Sequence, residues 1–320
     1  MFSPDLLSPL RCPADLASLE WSNDAAVCSQ CGTRYPMCDG FLEILPNQDF
    51  DHTTAYNGAE GGEILDYREV GPPLLSAGVK NDLLNDFLRF DPGDTVLDLG
   101  CGNGKFAWWN RSKVKRLYAI DLAPWFSDAA RADLPLLRGD IRTLPFADAS
   151  FDKIYSIDVL EHLTRADLER VLGQARRTLK PGGRLFLFSN TRERPTLGWL
   201  MAPQRTLTSW LARRRAVDFR RDEWRKADHV KAIATYEELE DVLSASGFRV
   251  ERARFWNGVF QGWIENVALK LGESWKSRSV AGRDGLEKQA AVRQEVRRAL
   301  KSKRRSGLNL TLSSLTWLLA

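Results

Sequence analysis

The chain has 320 residues, of which 43% are hydrophobic and 28% charged, with a formal net charge of +4, so it can bury a full core and still carry a second small unit and a tail. No stretch reaches the roughly 18 apolar residues of a membrane span. Met1-Phe2-Ser3-Pro4-Asp5 lacks the basic-then-apolar order of an export signal, so a cytoplasmic location is expected.

Four of the five cysteines, Cys12, Cys28, Cys31 and Cys38, crowd into the first 40 residues, which suits a metal cluster better than a disulfide framework. Cys12-Pro13-Ala14-Asp15 and Cys28-Ser29-Gln30-Cys31-Gly32, followed by Arg34-Tyr35-Pro36 and Asp39-Gly40-Phe41-Leu42, resemble the small zinc ribbon that precedes some methyltransferase domains. The resemblance implies two knuckles that present Cys12, Asp15, Cys28 and Cys31 to a structural Zn2+ as a tetrahedron. A complete ribbon has Cys where this chain has Asp15, and a harder oxygen ligand lowers affinity at a thiolate-rich site. Cys38 or His52 are alternative fourth ligands; a metal-free remnant and a redox role are the competing readings.

After a linker and cap helix over about 48–92, Val96-Leu97-Asp98-Leu99 reads as a buried strand that breaks into three alternate glycines, Gly100, Gly102 and Gly104. Glycine lets backbone approach a ligand with unusual dihedrals, and the helix that follows offers free N–H groups. A dinucleotide fingerprint would place its third glycine one residue later, and the phosphate-gripping loop is missing from this stretch. Asp98-Leu99-Gly100-Cys101-Gly102-Asn103-Gly104 instead resembles the first motif of class I S-adenosylmethionine-dependent methyltransferases.

The following segments stand in the order of that family. Arg116 to Ile120 reads as a strand ending in Asp121, whose carboxylate can accept both hydroxyls of a ribose, with Leu122 beside it. Leu134 to Leu137 is a third strand before Gly139-Asp140-Ile141; the resemblance assigns Asp140 to the adenine amino group and Ile141 to the ring. A fourth strand runs from Phe151 to Asp158, followed by Val159-Leu160-Glu161-His162-Leu163. Leu179-Lys180-Pro181-Gly182-Gly183-Arg184 then precedes a fifth, Leu185 to Ser189. Taken singly, Asp121 could cap a helix starting near Pro124, Asp140 could shape a turn, and Pro181-Gly182-Gly183 is an ordinary helix-to-strand turn. Taken together they imply an α/β fold, a doubly wound Rossmann-like sheet over 93–272, with a ribbon over 1–47 and a basic tail over 273–320.

His162 is the candidate general base, because it follows the fourth strand at the end of the sheet where ligands bind in such folds. Glu161 and Asp158 face the same end. His229, in Asp228-His229-Val230-Lys231, lies in a segment similar to one in relatives that leads into the last helix, here Tyr236 to Ala245, and the strand Gly247-Phe248-Arg249-Val250, and it is expected to close over the substrate. For His162 and Glu161 the alternative is a structural helix-start pair.

Charge is unevenly placed. Arg205 to Lys226, within an insertion over 191–228, holds eight Lys/Arg against three acidic residues, and Lys276 to Arg305 holds eleven against three. Trp199, Trp210 and Trp224 interleave with the first segment, which suits a phosphorylated or ring-bearing substrate or, equally, a solvated amphipathic helix. The second ends in Leu308 to Leu319, which suits a peripheral lie on an anionic membrane surface, packing on the body of the enzyme, or a dimer contact.

The expected function is methyl transfer from S-adenosylmethionine to a small-molecule or lipid-linked metabolite. The Asn/Asp-Pro-Pro-aromatic motif common in amino methyltransferases of DNA and protein amides is missing after the fourth strand. The alternatives are a ribosomal-RNA base methyltransferase, for which ribbon and basic segments would contact RNA phosphates, and a catalytically inactive cofactor-binding scaffold.

Overall fold

The computed structural model describes residues 4–46, 69–71, 76–189, 199, 201–214, 216–217, 219, 223, 229–230, 232–255, 262–272 and 274–275. They divide into two compact units. One comprises Met1–Val70, Leu84–Arg192 and Ala227–Glu251, the other Gly71–Leu83, Glu193–Lys226 and Arg252–Ala320. His52, Trp224 and nearly all of the basic tail lie outside the described residues.

The first unit is built on nine strands: β1 (Leu19–Ser22), β2 (Ala25–Cys28), β3 (Arg34–Cys38), β4 (Phe41–Glu43), β5 (Thr95–Leu99), β6 (Arg116–Asp121), β7 (Leu136–Arg138), β8 (Phe151–Ile157) and β9 (Leu179–Phe188). They form one sheet in the order β1-β2-β3-β4-β7-β6-β5-β8-β9. From β4 to β9 every pairing is parallel, except that β3 joins β4 as an antiparallel hairpin. Val96, Leu97, Asp98 and Leu99 of β5 are all buried, the run without polar alternation that a central parallel strand needs. The chain order reverses beside β5, and at that reversal the carboxyl ends of parallel strands part to leave a crevice.

The N-terminal segment is part of this sheet. β1, β2, β3 and β4 form an antiparallel meander, and β4 then lies parallel to β7 with Phe41, Leu42 and Glu43 opposite Leu136, Leu137 and Arg138. The Arg138 guanidinium donates to Glu43 at 3.0 Å, and that of Arg131 pairs with Asp39 while lying over the Phe41 ring. Leu42 and Ile44 are fully buried in the same core as Ile120, Leu137 and Leu97. The expected division into a ribbon over 1–47 and a catalytic domain starting near 93 therefore differs from the observed packing, in which both share one core.

The expected strand over 247–250 does not form among the described residues. Gly247 adopts φ 80, and the N–H groups of Gly247 and Phe248 donate to Ser244 O and Leu243 O, closing the helix Tyr236–Ala245. A left-handed glycine that caps a helix consumes the donors a ladder would need. Phe248 and Val250 still bury their side chains against Leu160, Leu168, Leu172 and Val242. The third strand starts at Leu136 because the Leu134 N–H is taken by Ala130 O at the end of the helix Asp128–Asp133.

In the second unit the helix Met201–Arg213 buries Leu211 and Gln204. Trp199 and Trp210 are 70% and 49% exposed, so neither is packed away in a core, and the Arg214 guanidinium lies 4.5 Å from the Trp210 ring centre. No helix among the described residues is long and apolar enough to cross a membrane.

Because ribbon and sheet share a core, Leu42→Ala should destabilise both together, by about 2–5 kcal/mol for a fully buried leucine. Urea unfolding followed by tryptophan fluorescence and by circular dichroism should give coincident transitions at a lower midpoint; a separate ribbon transition would contradict the shared core.

Candidate active site

The turn after β5 sets the site. Gly100, Gly102 and Gly104 all have positive φ, at 72, 56 and 80. Gly100 N and Cys101 N both donate to Ile120 O, and Gly102 N donates to Asp121 Oδ2 at 2.7 Å, so the turn is stitched onto the end of β6. A Cβ on Gly100 would collide with Val159 Cγ2, whereas one on Gly102 would meet nothing within 4 Å. The first glycine is required by packing, and the second borders open space into which a ligand can come close to backbone. Gly104 caps the helix Lys105–Asn110, and Asn103 Oδ1 accepts from Lys105 N.

Two carboxylates face this turn. Asp98 is buried, and its Oδ2 has no hydrogen-bond partner among the described residues. Burial pushes its pKa up to about 8, against the influence of the Tyr155 hydroxyl, with the charge of Asp121 adding to the rise. Asp121 is held by two backbone donors, Gly102 N on Oδ2 and Ala123 N on Oδ1, and does not cap a helix; the helix near Pro124 begins at Asp128 and is capped by Ser127. Burial also raises Asp121, opposed by those donors and by the charge of the nearby His162. Cys101 is buried and its thiol is raised well above the ordinary range by burial, which removes it as a nucleophile.

Asp140 follows β7 at the same edge and is gripped by Arg142, whose Nε and Nη2 reach both carboxylate oxygens at 2.6–3.0 Å. Arg142 also reaches Asp167 at 3.3 Å. Leu122 and Ile141, the residues after the two strand-end carboxylates, are both partly buried.

Past β8, Asp158 takes φ 59, a left-handed value rare for a non-glycine residue. The chain then forms a short turn, Leu160–His162, in which Glu161 is 3% exposed. Glu161 Oε2 accepts from the Ser189 hydroxyl at 2.7 Å, just past β9. His229 comes from a distant segment to meet His162 edge-to-face, ring centres 4.6 Å apart. Ligand-capable atoms of Glu161, His162 and His229 all lie within 4.8 Å of one another. Asp98, Asp121, Asp140, Asp158, Glu161 and His162 thus lie in or just past neighbouring parallel strands, and His229 joins them from a distant segment. Arg142 and Ser189 were not foreseen; the Asp-x-Arg spacing of Asp140 and Arg142 was the available signal for the first.

The ribbon brings together Cys12, Asp15, Cys28 and Cys31, again within 4.8 Å of one another. Cys12 and Cys31 sulfurs are 3.7 Å apart, close to the edge of about 3.8 Å for a tetrahedron with zinc–sulfur bonds of about 2.3 Å. Gln30 N and Cys31 N both donate to Cys28 Sγ at 3.4 Å, while Ala17 N holds Asp15 Oδ1 at 2.9 Å. Burial raises Cys12 to about 11, and the Thr33 hydroxyl lowers Cys31. Cys38 sits at the end of β3, outside this group.

Residues 97–187 match the family described as methyltransferase domain. Over that segment the chain is similar to methyltransferase domains. Malonyl-[acyl-carrier protein] O-methyltransferase of Serratia marcescens is 38% identical over 125 residues, covering 38% of this chain and 44% of that protein. Sterol 24-C-methyltransferase of Pneumocystis carinii is 37% identical over 101 residues, 28% of this chain and 26% of its own length. The chain therefore spans less than half of either relative. Phosphoethanolamine N-methyltransferase 2 of Haemonchus contortus, solved with phosphomonomethylethanolamine and S-adenosylhomocysteine, has the same fold at a TM-score of 0.53 and 15% identity, covering 80% of this chain and 58% of that one.

The methyltransferase cofactor suits the residues of this domain. It brings an ammonium group for the orphaned, buried Asp98 and a ribose for Asp121, whose oxygens each keep a second lone pair. The space before Gly102 lets its backbone come close.

Without ligand, Asp98 has a folded-state pKa raised from 3.8 to about 8. Its contribution to stability is therefore lost as pH climbs through that window, because the unfolded chain ionises first. Asp98→Asn should gain melting temperature relative to wild type progressively from pH 4 to pH 8 while weakening cofactor binding. A constant offset across that range, read by thermal melts, would contradict the assignment.

Proposed function

We propose that the protein methylates a small-molecule or lipid-linked metabolite with S-adenosylmethionine as donor. The observation that carries this reading is the convergence of Glu161, His162 and His229 beside Asp121 at the carboxyl edge of the sheet. The cofactor supplies a methyl group already activated on a sulfonium, so the protein has mainly to align a nucleophile and deal with its proton.

Each part of the edge has a task in this reading. Asp121 accepts the ribose hydroxyls, Asp98 faces the ammonium, and Asp140 with Leu122 and Ile141 frames the adenine, Arg142 fixing the carboxylate in place. His162 stands between cofactor and acceptor, within electrostatic reach of Asp121. With His229 and Glu161 against it, it works as one member of a cluster that orients the acceptor and assists the loss of its proton, and Ser189 holds Glu161 in register. Two of the relatives support the acceptor class: their names give a carrier-bound malonyl group and a sterol as what they methylate.

The ribbon in this reading holds structural zinc through Cys12, Asp15, Cys28 and Cys31. The sulfur–sulfur spacing and the N–H donors to Cys28 favour it. Its bond energy would then help hold β1 to β4 against the catalytic sheet.

Two measurements test these statements. With labelled S-adenosylmethionine and a panel of soluble and lipid-linked acceptors, His162→Ala should lower turnover by roughly 10²–10⁴-fold, the range for a proton-transfer group, with S-adenosylhomocysteine binding retained. Unchanged turnover would remove the cluster from the reaction. Elemental analysis should find zinc in the purified protein and lose one equivalent, with a lower melting temperature, in Cys28→Ser; an unaltered zinc content would refute the ribbon site.

A further inference from the structure

We propose that Glu161, His162 and His229 form a second metal site, which holds a divalent cation of the Mn2+ or Zn2+ class and presents it to an oxygen acceptor. The inference rests on the methyltransferase reading and says how the acceptor side of that site works.

The donor set is the first argument. One carboxylate and two imidazoles, with ligand atoms within 4.8 Å of one another, reproduce the two-nitrogen, one-oxygen sets that hold zinc and other first-row metals. Three protein ligands leave positions open for substrate, as metal sites that act on substrates do, whereas the ribbon offers four and is closed. The ligand mixture favours a borderline cation over Mg2+, which prefers oxygen alone and keeps its waters.

The architecture is the second. Glu161 is 3% exposed, unlike the solvated acidic clusters of ordinary surfaces. Its Oε2 is oriented by the Ser189 hydroxyl at 2.7 Å, the kind of supporting bond that fixes a metal-ligating carboxylate. His162 and Glu161 are locked on one short turn, and His229 is delivered from another segment so that the rings meet at 86°.

Position is the third. The turn bearing Glu161 and His162 follows β8, and Val159 just before it packs against the glycine turn at Gly100. A cation there meets an acceptor hydroxyl or enol at the place where the methyl group arrives. Coordination lowers the pKa of that hydroxyl. Its proton leaves to water, the oxygen keeps the electron pair that forms the new bond to the methyl carbon, and the pair of the broken carbon–sulfur bond stays on sulfur as a neutral thioether.

The test counts metal. Full-length protein and its Glu161→Gln, His229→Ala and Cys28→Ser variants are dialysed against low concentrations of Mn2+ and Zn2+ and analysed for bound metal, with S-adenosylhomocysteine binding measured in parallel as a check on folding. Wild type should hold one equivalent more than Glu161→Gln and His229→Ala, and Cys28→Ser should keep that equivalent. An equal metal count in wild type and both cluster variants overturns the proposal. Failure of wild type to bind S-adenosylhomocysteine would strike the methyltransferase reading, while the metal count would still decide the site.

Discussion

The geometry of the molecule depends on the five-residue turn from Gly100 to Gly104. Three residues with positive φ allow the chain to leave β5, hydrogen-bond sideways to Ile120 O and Asp121, and enter the helix Lys105–Asn110. Side chains disfavour such dihedrals, and at Gly100 the neighbouring Val159 excludes even a methyl group. The turn also links the strand ends to one another, since Val159 opens the segment that bears Glu161 and His162. Cofactor side and acceptor side are thus positioned by one piece of backbone.

The ribbon has a comparable structural meaning. A parallel sheet ending at β7 would expose a row of unpaired backbone groups, and β4 covers that edge while β3, β2 and β1 continue outward as an antiparallel meander. Leu42 and Ile44 reach into the core shared with Ile120 and Leu137. Folding of the cysteine knuckles and of the catalytic sheet is therefore one event energetically, and whatever occupies the Cys12–Cys31 site bears on the stability of the whole first unit.

What was legible in the sequence was local. Alternate glycines after an apolar run announce a left-handed turn because few other residues tolerate it, and Asp121 and Asp140 stand at fixed distances after short strands. The helix Tyr236–Ala245 follows from its periodicity, with Thr235 accepting from Glu238 N as its cap. What was not legible required pairing across the chain. The parallel match of β4 with β7 leaves no local mark, nor does the meeting of His229 with Glu161 and His162. The strand expected at 247–250 had a suitable apolar pattern, but Gly247 spends the needed N–H groups on capping a helix. Asp15 in place of a cysteine was visible as a departure, and only the three-dimensional arrangement shows it facing Cys28 at 3.4 Å.

The glycine turn and the carboxylates beside it form the proposed site for S-adenosylmethionine. Calorimetric titration of the full chain with S-adenosylhomocysteine, run beside Asp121→Ala, tests it most directly. Micromolar binding to the wild type is expected, with its loss in a variant that remains folded. A folded wild type that releases no heat at any ligand concentration, or a variant that binds as well as the wild type, would contradict it.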